Sequence, residues 1–216
     1  DLKRITEPNP EAVAIGLANL EKHLENTRHF NVEPVVAINR FTTDTDEEMD
    51  IIYKKCESIG IKVVHSEVWA KGGEGAIDLA KAVVEAVESG KSDFKALYDW
   101  DWSIEEKVHT VATKIYGADG VEFTAKAKKA LKRIEKLGLS KLPVCIAKTQ
   151  KSLSDDDKLL GRPTGFTLTV RDIEIAAGAG FVVPITGAIM RMPGLPATPA
   201  SEKIDIDKDG NITGLF

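Results

Sequence analysis

Two stretches of this chain set side chains with chemical potential at matching positions. The first, Pro34-Val35-Val36-Ala37-Ile38-Asn39-Arg40-Phe41, is an apolar, β-branched run that breaks into an amide, a guanidinium and a phenyl ring. The second, Lys62-Val63-Val64-His65-Ser66-Glu67-Val68-Trp69-Ala70-Lys71-Gly72-Gly73-Glu74-Gly75, breaks in the same way and delivers an indole. Runs of this kind, each leading into helix-forming sequence, predict neighbouring parallel strands. Open α/β sheets bind ligands beyond the carboxyl ends of their strands. Phe41 and Trp69 would emerge together there and clamp a flat heterocycle, with Asn39 and Arg40 beside them. Each stacked face contributes about 0.5–1.5 kcal/mol beyond simple area burial. One aromatic at a strand end is ordinarily core. Two of them, in polar or glycine-rich surroundings, are harder to explain that way.

Other signals are weaker. Gly72 and Gly73 precede a helix, where exposed backbone N–H groups can hold an anion, although tight turns use the same residues. Asn39-Arg40-Phe41-Thr42 imitates a guanine-reading motif, but Thr42 stands where a carboxylate must accept from the base. No G-x-x-x-x-G-K-[ST] phosphate loop occurs, so the chain is not a self-contained P-loop NTPase. Asp205-x-Asp207-x-Asp209-Gly210 imitates a calcium loop, but its twelfth position is Phe216 instead of a bidentate Glu. The four histidines show no metal-ligand spacing, so no metal site is expected. His65, at a strand end beside the clamp, is the one histidine of interest, against a bland reading in which it meets water.

The elements that position these residues follow from local patterns. Asn9-Pro10 opens a helix with Val13, Leu17, Leu20 and Leu24 on one face. Strand 35–38 follows. Thr45 and Glu48 form a capping box for a helix with Met49, Ile52, Tyr53, Cys56 and Ile59, ended at Gly60. Strand 62–65 leads through a loop carrying Trp69 into a helix striped by Ile77, Ala80, Val84 and Val87. Residues 91–102 hold Phe94, Tyr98, Trp100 and Trp102, read as a hydrophobic plug between two halves. Ser103 and Glu106 cap a helix with Ile104, Val108, Val111 and Ile115. Then come strand 121–123, a helix with Ala127, Ala130, Leu131, Ile134 and Leu137, and strand 143–147. A polar loop covers 149–164. Two short strands, 167–170 and 181–185, precede a proline-stiffened loop and a C-terminal β-hairpin. The expected class is α/β: a parallel sheet flanked by helices, then a second small α/β part with that hairpin. The division is placed at residues 1–98 and 99–216, in the aromatic link.

Composition narrows the function classes. With 216 residues, 29 basic against 34 acidic and a net charge of −5, the chain gives no broad electrostatic reason to bind nucleic acid or an anionic membrane. A chain this long buries roughly 70% of its unfolded surface and needs no staple. Its two cysteines, Cys56 and Cys145, read as buried thiols in a reducing compartment. The sequence given contains no apolar run of about 18 residues, and no signal peptide is expected. The start at Asp1, without Met, raises the expectation that an N-terminal part of a longer protein is missing.

Several multi-residue motifs carry a resemblance. They are Val36-Ala37-Ile38-Asn39-Arg40-Phe41-Thr42-Thr43-Asp44-Thr45, Trp69-Ala70-Lys71-Gly72-Gly73-Glu74-Gly75, Lys148-Thr149-Gln150-Lys151-Ser152-Leu153-Ser154-Asp155, Gly161-Arg162-Pro163-Thr164-Gly165-Phe166 and Pro184 through Pro196. Together they resemble the C-terminal portion of formate–tetrahydrofolate ligase (10-formyltetrahydrofolate synthetase), in order and over almost the whole chain. The resemblance implies an ATP-dependent enzyme of one-carbon metabolism that makes 10-formyltetrahydrofolate, ADP and phosphate through formyl phosphate. It implies ATP with Mg2+, tetrahydrofolate as substrate, a monovalent cation activator, a homotetramer and a cytoplasmic location. It maps the pterin-stacking aromatics onto Phe41 and Trp69. It leaves the phosphate loop, and with it the catalytic residues, to the N-terminal portion of the same enzyme. Gly72, Gly73, Arg162 and Arg191 are the candidate anion or nucleotide contacts on this chain. The alternative is a non-catalytic ligand-binding or assembly module that shares the α/β fold.

Overall fold

The structure, a computed structural model, describes residues 6–189 and 197–214. Arg191 and the loop around it lie outside these residues. Helix α1, Pro10–His29, begins as its sequence dictates, with the Asn9 side chain accepting from the Ala12 N–H. Strand β1, Val35–Asn39, and strand β2, Lys62–Ser66, pair in parallel from Val35 opposite Lys62 to Asn39 opposite Ser66. Between them runs α2, Asp46–Ser58, opened by the reciprocal Thr45–Glu48 capping box. Gly60 then takes φ +69°, a left-handed conformation that would strain a side-chain-bearing residue. Leu24, Cys56 and Ile61 form a core joined by Leu20, Val36, Ile52, Ile59 and Val63, so α1 and α2 cover one face of the sheet. After β2 come a short helix α3, Val68–Lys71, a 3₁₀ turn Gly72–Ala76, and α4, Ile77–Glu88, lying against both strands.

The second half is built on a mixed sheet. Helix α5, Ile104–Thr110, continues as a π-helical turn, Val111–Tyr116. Strand β3, Gly120–Phe123, pairs in parallel with β4, Thr167–Ala176, which pairs antiparallel with β5, Phe181–Thr186. Helix α6, Ala125–Lys136, lies against β4 and β3. Ile104, Val108, Ala127, Ile134, Val170, Ile173 and Val182 make the core. Burying each of its valines and isoleucines contributes about 1.5–3 kcal/mol. The chain closes with the small antiparallel hairpin of β6, Asp205–Ile206, and β7, Ile212–Thr213. Its turn is tied by Asp207, whose carboxylate accepts from the backbone N–H groups of Asp209 and Asn211. The architecture is the expected α/β arrangement of parallel sheet, second mixed part and terminal hairpin.

Polar groups hold the halves together. Lys22 Nζ donates to the Lys114 carbonyl at 2.7 Å and Asn26 Nδ2 to the Ile115 carbonyl at 2.9 Å. Asn19 Nδ2 donates to the Gly161 carbonyl, and Arg162 meets Glu25 in a two-bond fork at 2.8 Å each. The π-helical turn departs from α-helical hydrogen bonding, and α1 supplies donors to two of its carbonyls. Burial lowers the Lys22 pKa, with Glu25 opposing the shift. In the link between the halves, Lys107 is fully buried and donates to the carbonyls of Trp100, Ser140 and Leu142 at 2.8, 3.1 and 3.1 Å. Its burial lowers its pKa.

Several expectations are corrected. The stripe assigned to α4 faces outward: Ile77, Val84 and Val87 are exposed, and Leu79, Ala82 and Ala86 turn inward. Its charged residues Asp78, Lys81, Glu85 and Glu88 share one stripe and apolar residues fill the rest of the circumference, a face too wide for periodicity to choose its buried part. Residues 143–147 do not form a full strand. They run parallel to β5 and pair at Val144–Val182 and Ala147–Ile185. Pro184 has no N–H to donate midway, which interrupts the ladder. Strand β4 runs six residues past the expected end at Val170, through a register shift between Val170 and Asp172. Cys145 is exposed because Val144 and Ile146 on either side of it pack on the core. Leu137 is exposed as well. The link is no apolar plug, since Phe94 and Trp100 are exposed and Lys107 gathers the backbone there instead. Trp69 lies on the helical turn α3, not in a loop, because Ala70 and Lys71 donate to the Glu67 carbonyl.

Candidate functional site

The parallel register brings Asn39 and Ser66 level, so both strands release their chains at one edge. Arg40 extends the ladder by donating its N–H to the Ser66 carbonyl at 3.2 Å. The Arg40 carbonyl accepts from the Trp69 indole Nε1 at 3.0 Å, and its guanidinium meets Asp46 at 3.0 Å. Phe41 follows, its N–H held by Asp44 Oδ2 at 2.7 Å. The rings of Phe41 and Trp69 are 56% and 59% exposed, so both have faces open to a ligand. Asn39, also exposed, ends β1 beside them.

Trp69 is aimed by its own turn. Lys71 Nζ meets Glu67 at 2.6 Å across one helical turn, and this bond holds the Glu67 carboxyl below its usual pKa. The Glu67 N–H donates to the Gly75 carbonyl at 3.1 Å, closing the loop. A Cβ on Gly75 would collide with the Glu67 carbonyl, so the closure requires glycine. Gly72 and Gly73 lie exposed between these points, directly after α3. Behind the edge, His65 packs edge-on against Tyr53 at 5.2 Å, and its buried Nδ1 has no hydrogen-bond partner. Burial raises the Tyr53 pKa, while the nearby Arg40 charge acts the other way.

The late loops form a separate place. A cleft of about 500 Å3 is lined by Thr149, Gln150, Lys151, Asp155, Asp156, Asp157, Ala188 and Ile189. Lys151 pairs with Asp157 at 3.1 Å, and Arg171 donates to the Ile189 carbonyl. Lys148 turns inward to the carbonyls of Thr149 and Ser152 and lies 5.6 Å from the Tyr116 ring centre. Burial lowers the Lys148 pKa and pushes the Tyr116 pKa up to about 12. Arg162 stands at the seam with both guanidinium nitrogens on Glu25. Another cleft, of about 580 Å3, opens at the N-terminal ends of β1 and β2 among Glu33, Glu57, Lys62, Glu85 and Lys91. Pro34, Val35, Tyr53, Ile61, Val63 and Ala82 line it as well, at the opposite end of the strands from the aromatic edge.

The structure therefore brings Phe41, Trp69, Asn39, Arg40, Gly72 and Gly73 to one edge and places Arg162 at the seam. Asp44 and Asp46 are structural partners of this edge that sequence reasoning missed. Their acceptors serve a backbone N–H and a neighbouring guanidinium, contacts without a spacing signature. Among the described residues no group of three or more His, Cys, Asp or Glu could hold a metal ion. No helix among them is long and apolar enough to cross a membrane. Compared with known protein families, residues 1–216 match the family described as formate--tetrahydrofolate ligase. The match covers the whole chain, and the chain belongs to that family.

Proposed function

We propose, from this family membership and the geometry of the edge, that the chain supplies the folate platform of an ATP-dependent formate–tetrahydrofolate ligase. Phe41 and Trp69 sandwich the pterin, and Asn39 and Arg40 offer polar contacts beside it. The observation that carries this reading is the pair of open rings at one parallel strand edge, with the Trp69 indole anchored on the Arg40 carbonyl. The complete enzyme phosphorylates formate with ATP, and formyl phosphate passes its formyl group to the folate. Mg2+ enters with the nucleotide, and a monovalent cation promotes activity; no residue described here is assigned to either ion. The N-terminal portion of the enzyme brings the phosphate loop, because phosphoryl transfer depends on positioning and charge neutralisation around the phosphates. Gly72, Gly73, Arg162 and Arg191 are the contacts proposed for the nucleotide or another anion. Residues 1–98 form the end of the main domain and residues 99–216 a smaller one, within a cytoplasmic homotetramer.

The test is substitution in the full-length enzyme. Trp69→Ala and Phe41→Ala should each weaken tetrahydrofolate binding by about 1–3 kcal/mol, the range for base–aromatic stacking. ATP affinity should stay unchanged. Unaltered folate affinity in both variants would remove the clamp.

A further inference from the structure

We propose that Asp44 is the positioning residue for the phenyl face of this clamp, an inference that rests on the clamp reading. With more than half of its surface exposed, Phe41 is not fixed by packing alone. A closed pair of bonds fixes its backbone instead. Asp44 Oδ2 accepts the Phe41 N–H at 2.7 Å, and the Asp44 N–H donates to the Phe41 carbonyl at 3.1 Å. The first bond is charge-assisted and short, of the stronger kind. Together they fold Thr42 and Thr43 into a turn whose mouth is Phe41.

The neighbours of Asp44 tie this turn to the rest of the edge. Thr45 caps α2, so Asp44 sits immediately before a helix start that is itself locked. Asp46 holds the Arg40 guanidinium, and the Arg40 carbonyl holds the Trp69 indole. Both rings are therefore referenced to one stretch, residues 40–46. The indole has its own side-chain bond to that stretch, whereas a phenyl ring has no polar atom and takes its place from its backbone. Asp44 is the group that sets that backbone. Without its carboxylate the Phe41 N–H loses its partner and only the backbone bond from the Asp44 N–H to the Phe41 carbonyl still holds the turn.

The experiment is a double-mutant cycle in the full-length enzyme, read by calorimetric titration with tetrahydrofolate and by steady-state kinetics. Asp44→Ala should raise the folate Kd about tenfold, the scale of one charge-assisted hydrogen bond. Asp44→Asn, whose amide oxygen still accepts, should raise it about threefold, half of that effect on the free-energy scale. The ATP KM should remain at the parent value in both. In a Phe41→Ala background, Asp44→Ala should add nothing, because Asp44 acts only through that ring. Should Asp44→Ala fail to fold, Asp44→Asn carries the same cycle at its smaller amplitude. Independent, multiplying effects of the two sites would overturn the proposal. So would a lowered melting temperature with an unchanged folate Kd, which is the mark of a loop stabiliser only. If Phe41→Ala itself leaves folate binding unchanged, the clamp fails first, and the two failures stay distinguishable.

Discussion

Replacing Lys107 by Met tests how the link between the halves is held. The ammonium serves three backbone carbonyls, those of Trp100, Ser140 and Leu142, from a fully buried position. Methionine keeps most of the volume and removes all three donors. A buried acceptor left without a partner costs about 1–3 kcal/mol, so the carbonyls of the half-buried Ser140 and Leu142 cost about 2–6 kcal/mol between them, and that of the exposed Trp100 adds little. Burial already disfavours the charge, as the lowered pKa of Lys107 indicates, and losing it returns part of that cost. A net loss of about 3 kcal/mol is expected. Unfolding entropy of about 2.1 cal/mol/K per residue gives roughly 450 cal/mol/K for a chain of this length, and hence a fall in Tm of about 7 °C. Differential scanning calorimetry of Lys107→Met beside the parent measures it. Lys126→Met is the control, since its exposed ion pair with Asp172 is worth at most about 1 kcal/mol. A Lys107→Met shift no larger than that of the control would refute the reasoning.

Two further outcomes follow from the same structure. Tyr116 has a folded pKa of about 12, while an unfolded tyrosine ionises near about 10. The folded state therefore holds the proton over that interval, and stability present below about pH 10 is lost as pH rises through it, by about 2–3 kcal/mol in all. Chemical denaturation of the parent and Tyr116→Phe from pH 9 upward should show the parent losing this extra stability; parallel profiles would sink the assignment. The second concerns activity. Incubated alone with ATP, formate and tetrahydrofolate, this 216-residue chain should give no 10-formyltetrahydrofolate, because its sequence contains no phosphate loop. Robust turnover would show that the phosphate chemistry resides here after all.

How much was legible in the sequence depended on how local each cause was. The caps at Asn9, Thr45 and Ser103 are settled within four residues, and all three stand as read. The parallel pairing of β1 and β2 followed from apolar runs joined by a helix, and that pairing releases the segments that carry Phe41 and Trp69 at one edge. The facing of α4 was illegible because its apolar face is far wider than the part that is buried, with only Asp78, Lys81, Glu85 and Glu88 marking a polar stripe. The length of β4 was hidden by Arg171 and Asp172, where the register shift breaks the alternation before Ile173 and Ile175 resume it. The bond from Trp69 to the Arg40 carbonyl, like that from Phe41 to Asp44, involves the main chain, and main-chain groups look alike at every position. Lys22 and Lys107 were unreadable for the same reason: their partners are carbonyls supplied by distant segments.

The seam along α1 has a consequence for motion. The cores of the two halves are separate clusters, and Asn19, Lys22, Glu25 and Asn26 bridge them through amides, an ammonium and a carboxylate. Water can take over each of those bonds. Lys22 and Asn26 are buried at this joint, so opening it would hydrate polar side chains and carbonyls. Wetting sets the cost of opening, one hydrogen-bond exchange at a time, where an apolar joint would have to part as a block. The aromatic edge belongs to one half and the late-loop cleft to the other, so this polar joint along α1 sets where each stands relative to the other.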